Sequence, residues 1–125
     1  MSHLLPAVQQ HGLAIASSEV GDAIEVKLSG SSDSQTTTAL GRFLDGLHVE
    51  ALRVRAKTVI LDCESFYFMN SASVKVFVTW LAKIKAVPPA ERYAVILRTN
   101  PRLSWQQRTF DAIRRSAPEI VRLDR

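Results

Sequence analysis

The stretch TVILDCESFYFMNSASVKVFVTWL, Thr58 to Leu81, decides the architecture. It opens on an apolar burst (Val59, Ile60, Leu61) of strand character and passes through an aromatic run, Phe66 to Met69. At Asn70-Ser71 it turns into a segment of helical period. Val74, Phe77, Val78 and Leu81 follow i, i+3, i+4, i+7 spacing, which predicts an amphipathic helix with these four on its inner face. Thr58 to Asp62 lacks polar alternation and predicts a central strand covered on both faces. The junction places a small hydroxyl residue, Ser71, at a helix start, where unpaired backbone N–H groups and a partial positive charge favour an anion such as a phosphate.

Upstream, Leu13 to Ser17 and Ala23 to Ser29 alternate, with turn chemistry at Val20-Gly21-Asp22 between them, and predict an antiparallel hairpin. Met1 to Gly12 reads as a flexible lead-in, leaving residues 13–124 as a single domain. Gly30 to Ser34 reads as a loop, with Ser34 as N-cap of a helix that carries Leu40, Phe43, Leu44 and Leu47 on one face. Downstream, Tyr93 to Leu97 predicts a second apolar strand, and Ser104 a cap for a third helix with Gln107, Phe110, Ile113 and Ala117 inward. Ile120, Val121 and Leu123 suggest a closing strand. Trp80, Val76 and Trp105 lie off the main stripes; they are expected to complete the core, the alternative being an exposed apolar contact patch. Strands alternating with helices after a hairpin imply an α/β fold: a mixed sheet whose parallel central strands are joined by right-handed helical crossovers.

The chain has 125 residues, 46% of them hydrophobic, enough for one buried core. No signal peptide or membrane span is expected, which points to the cytoplasm. Cys63 is the only cysteine, so disulfides within the chain are excluded, and its apolar setting predicts a buried, inert thiol. His3, His11 and His48 have no metal-ligand spacing, and nothing calls for a cofactor. The net charge is +4. The excess lies after residue 86, where arginines spread over loop, strand and helix predict a solvated basic face rather than direct contact with nucleic acid.

Two blocks resemble the STAS domain, the fold shared by bacterial anti-sigma factor antagonists and the cytoplasmic tails of sulphate transporters. VKLSGSSDSQTTTAL (Val26 to Leu40) is similar to the family's strand, Gly, two residues, Asp, then helix. VILDCESFYFMNSASVKVF (Val59 to Phe77) is similar to its apolar strand and a loop leading to Asp-Ser-Ser/Thr-Gly at a helix start. TFDAIRRSAPEIVRLD resembles the last helix and strand. The resemblance implies that Ser71 is phosphorylated by a partner that is both serine kinase and anti-sigma factor, that a phosphatase reverses this, and that Asp33 engages the kinase. With Asp33, the residues Ser32, Met69, Asn70, Ala72 and Ser73 around Ser71 are expected to form the partner-binding surface, and Ser73 is a second candidate for modification. Asn70 replaces the family's usual Asp, and Ala72-Ser73 its Ser/Thr-Gly.

The implied function is a partner-switching regulator rather than an enzyme, with no direct role for nucleic acid or membrane. Two alternatives remain at this stage. One is a constitutive scaffold or the small subunit of a lipid ABC transporter, with Ser71 only a helix cap. The other, a hydrolase using Ser71, lacks a Gly-x-Ser-x-Gly elbow and any histidine with a general-base context.

Overall fold

The computed structural model describes residues 5–124. The chain runs β1 (Val8–Gln10), β2 (Leu13–Val20), β3 (Ala23–Ser32), α1 (Thr37–Arg53), β4 (Thr58–Met69), α2 (Ser71–Lys85), a 3-10 turn (Pro89–Glu91), β5 (Ala94–Arg98), α3 (Ser104–Ser116) and β6 (Val121–Asp124). The six strands form one sheet in sequential order. β1, β2 and β3 pair antiparallel, and β3 to β6 pair parallel. This is the expected mixed sheet.

β1 falls within the stretch read as a lead-in. His11 and Gly12, both at positive φ (49° and 82°), make a two-residue turn that returns Gln10 onto Leu13. Two positive φ values are the type I′ pattern, and a His-Gly pair is a weak announcement of it. The β2–β3 hairpin closes as expected, with Val20 opposite Ala23.

Sequential strand order with right-handed crossovers sets all three helices on one face of the sheet. The reading of β4 as covered on both sides is corrected accordingly. Val59, Leu61 and Cys63 are buried while Thr58, Ile60 and Asp62 are half-buried, and β5 alternates in the same way. On the face away from the helices Arg98 bonds Glu25 at 2.9 Å and approaches Asp62 and Asp124 at 3.8 Å, tying β3, β4, β5 and β6 together.

The core lies between sheet and helices. Leu40, Phe43, Leu44 and Leu47 of α1 are buried as expected. The inner face of α2 is Ser73, Phe77, Trp80, Leu81 and Ile84; Trp80 completes the core, whereas Val78 is 39% exposed and Val74 only partly covered. The helix is therefore rotated from the expected face, because the bulky indole at Trp80 takes the central position. Val76 and Trp105 pack partly buried against the core.

In α3 the inward polar residue is Gln106, not Gln107. Beyond Asp62 the β4 strand outruns β5, whose last paired residue is Arg98, so β4 carbonyls lose their neighbour. The Gln106 amide replaces it, donating to Cys63 O at 2.8 Å and Phe66 O at 2.9 Å, while its Oε1 accepts from Asn100 N at 2.7 Å. Leu103 rather than Ser104 occupies the N-cap position and makes no side-chain cap bond. Gln106→Leu strands one backbone N–H and two carbonyls inside the protein, and an expected loss of about 3 kcal/mol of stability, measured by urea denaturation, follows from the cost of unmade buried hydrogen bonds.

Candidate functional site

The C-terminal ends of β3 and β4, the loop into α1 and the first turn of α2 converge at one end of the sheet. Two bulges in β4 shape this end. Where β3 advances from Lys27 to Ser29, β4 advances from Asp62 to Ser65, and Gly30 to Ser31 is matched by Phe66 to Phe68. An extra residue reverses the in-out alternation and re-aims side chains. Tyr67 and Phe68 are left 56% and 51% exposed, between buried Phe66 and buried Met69. The aromatic run read as a loop is thus strand, and its two outward rings are a feature that sequence reasoning missed.

Asn70 ends the strand and caps α2. Its φ/ψ is extended, its Oδ1 accepts from Ser73 N at 2.9 Å, and its own N–H donates to Ser32 O at 3.0 Å. An asparagine at this position keeps the capping acceptor of an aspartate while removing one negative charge. Since Asn70 is the cap, the alternative of Ser71 as a helix cap is corrected: Ser71 is the first helical residue, and it is exposed together with Ala72.

Ser73 is fully buried and joins a knot of hydroxyls. Ser32 Oγ lies 2.9 Å from Ser73 Oγ and 2.8 Å from Thr36 Oγ1, and Thr37 Oγ1 lies 3.3 Å from Ser73 Oγ. Each hydroxyl has one proton to give. With Thr36 Oγ1 donating to Asp33 O at 3.3 Å, the consistent arrangement has Ser32 donating to Thr36 and Ser73 to Ser32. Protons thus run in one direction, from α2 through β3 to the Asp33 loop, leaving the longer Thr37 contact secondary. The knot ties the first turn of α2 to the end of β3 and the start of α1.

The Asp33 loop is built by its own backbone. Asp33 O accepts from Thr36 N at 3.0 Å, Thr37 N at 3.1 Å and Thr37 Oγ1 at 2.9 Å, and its Oδ1 accepts from Gln35 N at 2.9 Å in an Asx turn. Ser34 is exposed and caps nothing; Thr36 holds the N-cap position of α1. Asp33 and Asn70 are half-buried.

The structure divides the site residues named from the sequence into two groups. Ser71, Ala72, Asn70 and Asp33 reach the surface, with Tyr67 and Phe68 leading up to them along β4. Ser32, Met69 and Ser73 lie beneath it at 0%, 6% and 0% exposure, which corrects their placement on a contact surface. Burial of Ser73 also closes it to modification in the folded protein. The knot needs these hydroxyls facing inward, and Met69 packs in the core at the end of β4.

Elsewhere, burial pushes the Cys63 thiol far above its usual range, with Asp62 adding to the effect. No cluster of three or more metal-ligating side chains occurs among the described residues, and no helix among them is long and apolar enough to cross a membrane. Of the late arginines, Arg92 holds the carbonyls of Lys85 and Val87, Arg98 joins the sheet cluster, and Arg114 and Arg115 pair with Asp111.

No family model matches the sequence, and no curated protein does. Solved structures do. An anti-sigma factor antagonist from Mycobacterium paratuberculosis superposes with a TM-score of 0.63 at 15% identity, covering 85% of this chain and 83% of its own. The anti-sigma factor antagonist SpoIIAA in its unphosphorylated form gives 0.61 at 16% identity, covering 90% and 89%. The chain has the STAS fold. At these identities the likeness is one of architecture, and it covers 85% and 90% of this chain.

Proposed function

We propose that this STAS domain is a cytoplasmic anti-sigma factor antagonist that switches partners through phosphorylation of Ser71. In this reading its unmodified surface binds a kinase-type anti-sigma factor, and a phosphatase restores that surface after modification. The observation that carries the proposal is the division of labour at the start of α2. Asn70 takes the cap, Ser73 the buried knot, and Ser71 alone keeps an exposed hydroxyl at the helix mouth. A phosphate there meets the positive end of the helix dipole and so leaves the fold intact. The neighbour SpoIIAA, described in an unphosphorylated form, supports the idea that this architecture carries a phosphate switch.

The docking surface in this proposal is Asp33, Asn70, Ser71 and Ala72, extended by Tyr67 and Phe68. Two half-exposed aromatic rings beside a small neutral patch are the kind of anchors that dominate protein interfaces. The chain supplies no catalysis; the phosphoryl donor and its chemistry belong to the partner.

Incubation with ATP and recombinant serine-kinase anti-sigma factors from the source genome, followed by mass spectrometry, tests the assignment. The expected result is a single phosphate on Ser71 that is absent from Ser71→Ala. Modification of Ser73 instead, or of neither by any of the kinases, overturns it and returns the chain to the class of constitutive interaction subunits.

A further inference from the structure

Away from Ser71, a chain of hydrogen bonds crosses the helical layer. Trp80 Nε1 of α2 lies 3.0 Å from the hydroxyl of Tyr93, the residue that enters β5, and that hydroxyl lies 2.8 Å from Nδ1 of His48 on α1. The His48 and Tyr93 rings are 5.8 Å apart at 52°, and those of Trp80 and Tyr93 6.3 Å apart at 37°. Trp80 and Tyr93 are each 2% exposed, whereas His48 is half-buried and within reach of water.

The protons in this chain can be placed by elimination. An indole N–H only donates, so the Tyr93 oxygen accepts from Trp80. The phenolic proton then goes to the hydroxyl's other partner, His48 Nδ1, which must be a bare acceptor. In that arrangement, the one that leaves no group of the chain unpaired, His48 is neutral with its proton on Nε2. Protonating the ring puts an N–H on Nδ1, facing the phenolic proton. That hydroxyl must then turn its proton into the apolar interior, where an unmade hydrogen bond is costly.

We infer that His48 is a proton-operated latch that holds α1 against α2 and β5 when neutral and releases it when protonated. The charged groups facing the ring are Asp45, on its own helix, and Lys83, from α2, which are paired with each other. From the β5 side the group that meets the ring is Tyr93 itself. Burial, followed by Lys83, holds the His48 imidazole below the usual histidine value of 6.5, against a smaller opposing effect of Asp45. Burial raises the Tyr93 hydroxyl far from its working range, so it remains a donor throughout.

The sign follows from linkage. A base whose affinity for protons is lowered by folding contributes stability that is complete above 6.5 and is lost as the pH falls through the folded-state value. Below that value the latch is open. α1 is also the helix whose N-terminal end carries the Thr36 and Thr37 side of the hydroxyl knot, so release of its other half loosens one wall of the Ser71 site. The latch itself does not depend on what Ser71 does.

Nuclear magnetic resonance on the whole chain tests it directly. His48 is expected in the Nε2–H tautomer near pH 7.5 and to titrate below ordinary histidine. The indole N–H signal of Trp80 should move with the same midpoint while that of Trp105 stays still. His48→Asn keeps an acceptor near the Nδ1 position without a titratable proton, so it should hold Trp80 still over the same range. Between about pH 7.5 and pH 5 the unfolding constant of the wild type should rise several-fold relative to that variant. The opposite tautomer, a midpoint at or above 6.5, or parallel pH profiles for the two proteins would overturn the latch. Should His48→Asn fail to fold, the wild-type tautomer and midpoint decide alone.

Discussion

Ser71→Asp is expected to weaken binding to the cognate anti-sigma factor by about a hundredfold or more while leaving thermal stability unchanged or slightly raised. The two halves of this result come from different physics. Inside the domain an acidic side chain at the first helical position faces free N–H groups and the positive end of the helix dipole, a contribution of about 0.3 to 1 kcal/mol in favour of the fold. Outside it, the exposed patch of Ser71 and Ala72 is small and uncharged, and a partner that packs closely on it must strip water from any carboxylate or phosphate placed there. A few kcal/mol of uncompensated desolvation corresponds to that loss of affinity. Ser71→Ala, which removes the hydroxyl without adding charge, should bind within a few-fold of the wild type. Titration calorimetry against the purified partner, with thermal unfolding run on the same samples, separates the two halves. Equal affinities for Ser71→Asp and the wild type would sink the switch. A large loss of stability in Ser71→Asp would mean that the hydroxyl is structural, contrary to the capping role seen for Asn70.

The fold and the site differed in how much of each was legible beforehand. Elements whose apolar positions recur at a clean period, such as Leu40 to Leu47 in α1 or the alternation in β2 and β3, announce themselves, because their burial is decided locally. The order of these elements then leaves few topologies. What escaped was decided by partners distant in sequence. Gln106 points inward because Cys63 O and Phe66 O need donors, a demand that local periodicity in α3 cannot reveal. Tyr67 and Phe68 are exposed because of bulges set by pairing with Gly30 and Ser31, and a run of aromatics carries no mark of a bulge. Ser32, Met69 and Ser73, expected at a contact surface, are buried. Their depth depends on a hydroxyl knot spanning residues 32 to 73, whose closure no local pattern encodes.

Gly30→Ala should be the most damaging single-methyl change in the chain, for a reason rooted in the same pairing. Gly30 has φ +86° and lies opposite Leu13, where the turn ending in Gly12 folds back onto β3. An added Cβ would stand 1.9 Å from the carbonyl oxygen of Gly12, well inside any tolerable contact. That carbonyl is also held, accepting from Ser31 N at 2.9 Å, so it cannot retreat without breaking the bond that steadies the second bulge. The left-handed backbone adds about 1 to 2 kcal/mol for any residue with a Cβ. With the clash, the total should exceed about 4 kcal/mol, a large part of the stability of a typical domain.

Gly12→Ala supplies the control. Its φ is +82°, nearly the same, yet nothing stands within 4 Å of its added Cβ, so only the conformational part of the cost applies. Urea denaturation of the two variants should therefore differ by more than about 2 kcal/mol, Gly30→Ala being the weaker or failing to fold at all. Equal losses would mean that the turn yields to the methyl group and that Gly12 is not held against Gly30. A folded but weakened Gly30→Ala should also disturb the site first. The strand leaving Gly30 delivers Ser31 to its bond with Gly12 and Ser32 to the hydroxyl knot, so Ser73 would lose its acceptor before the core opened.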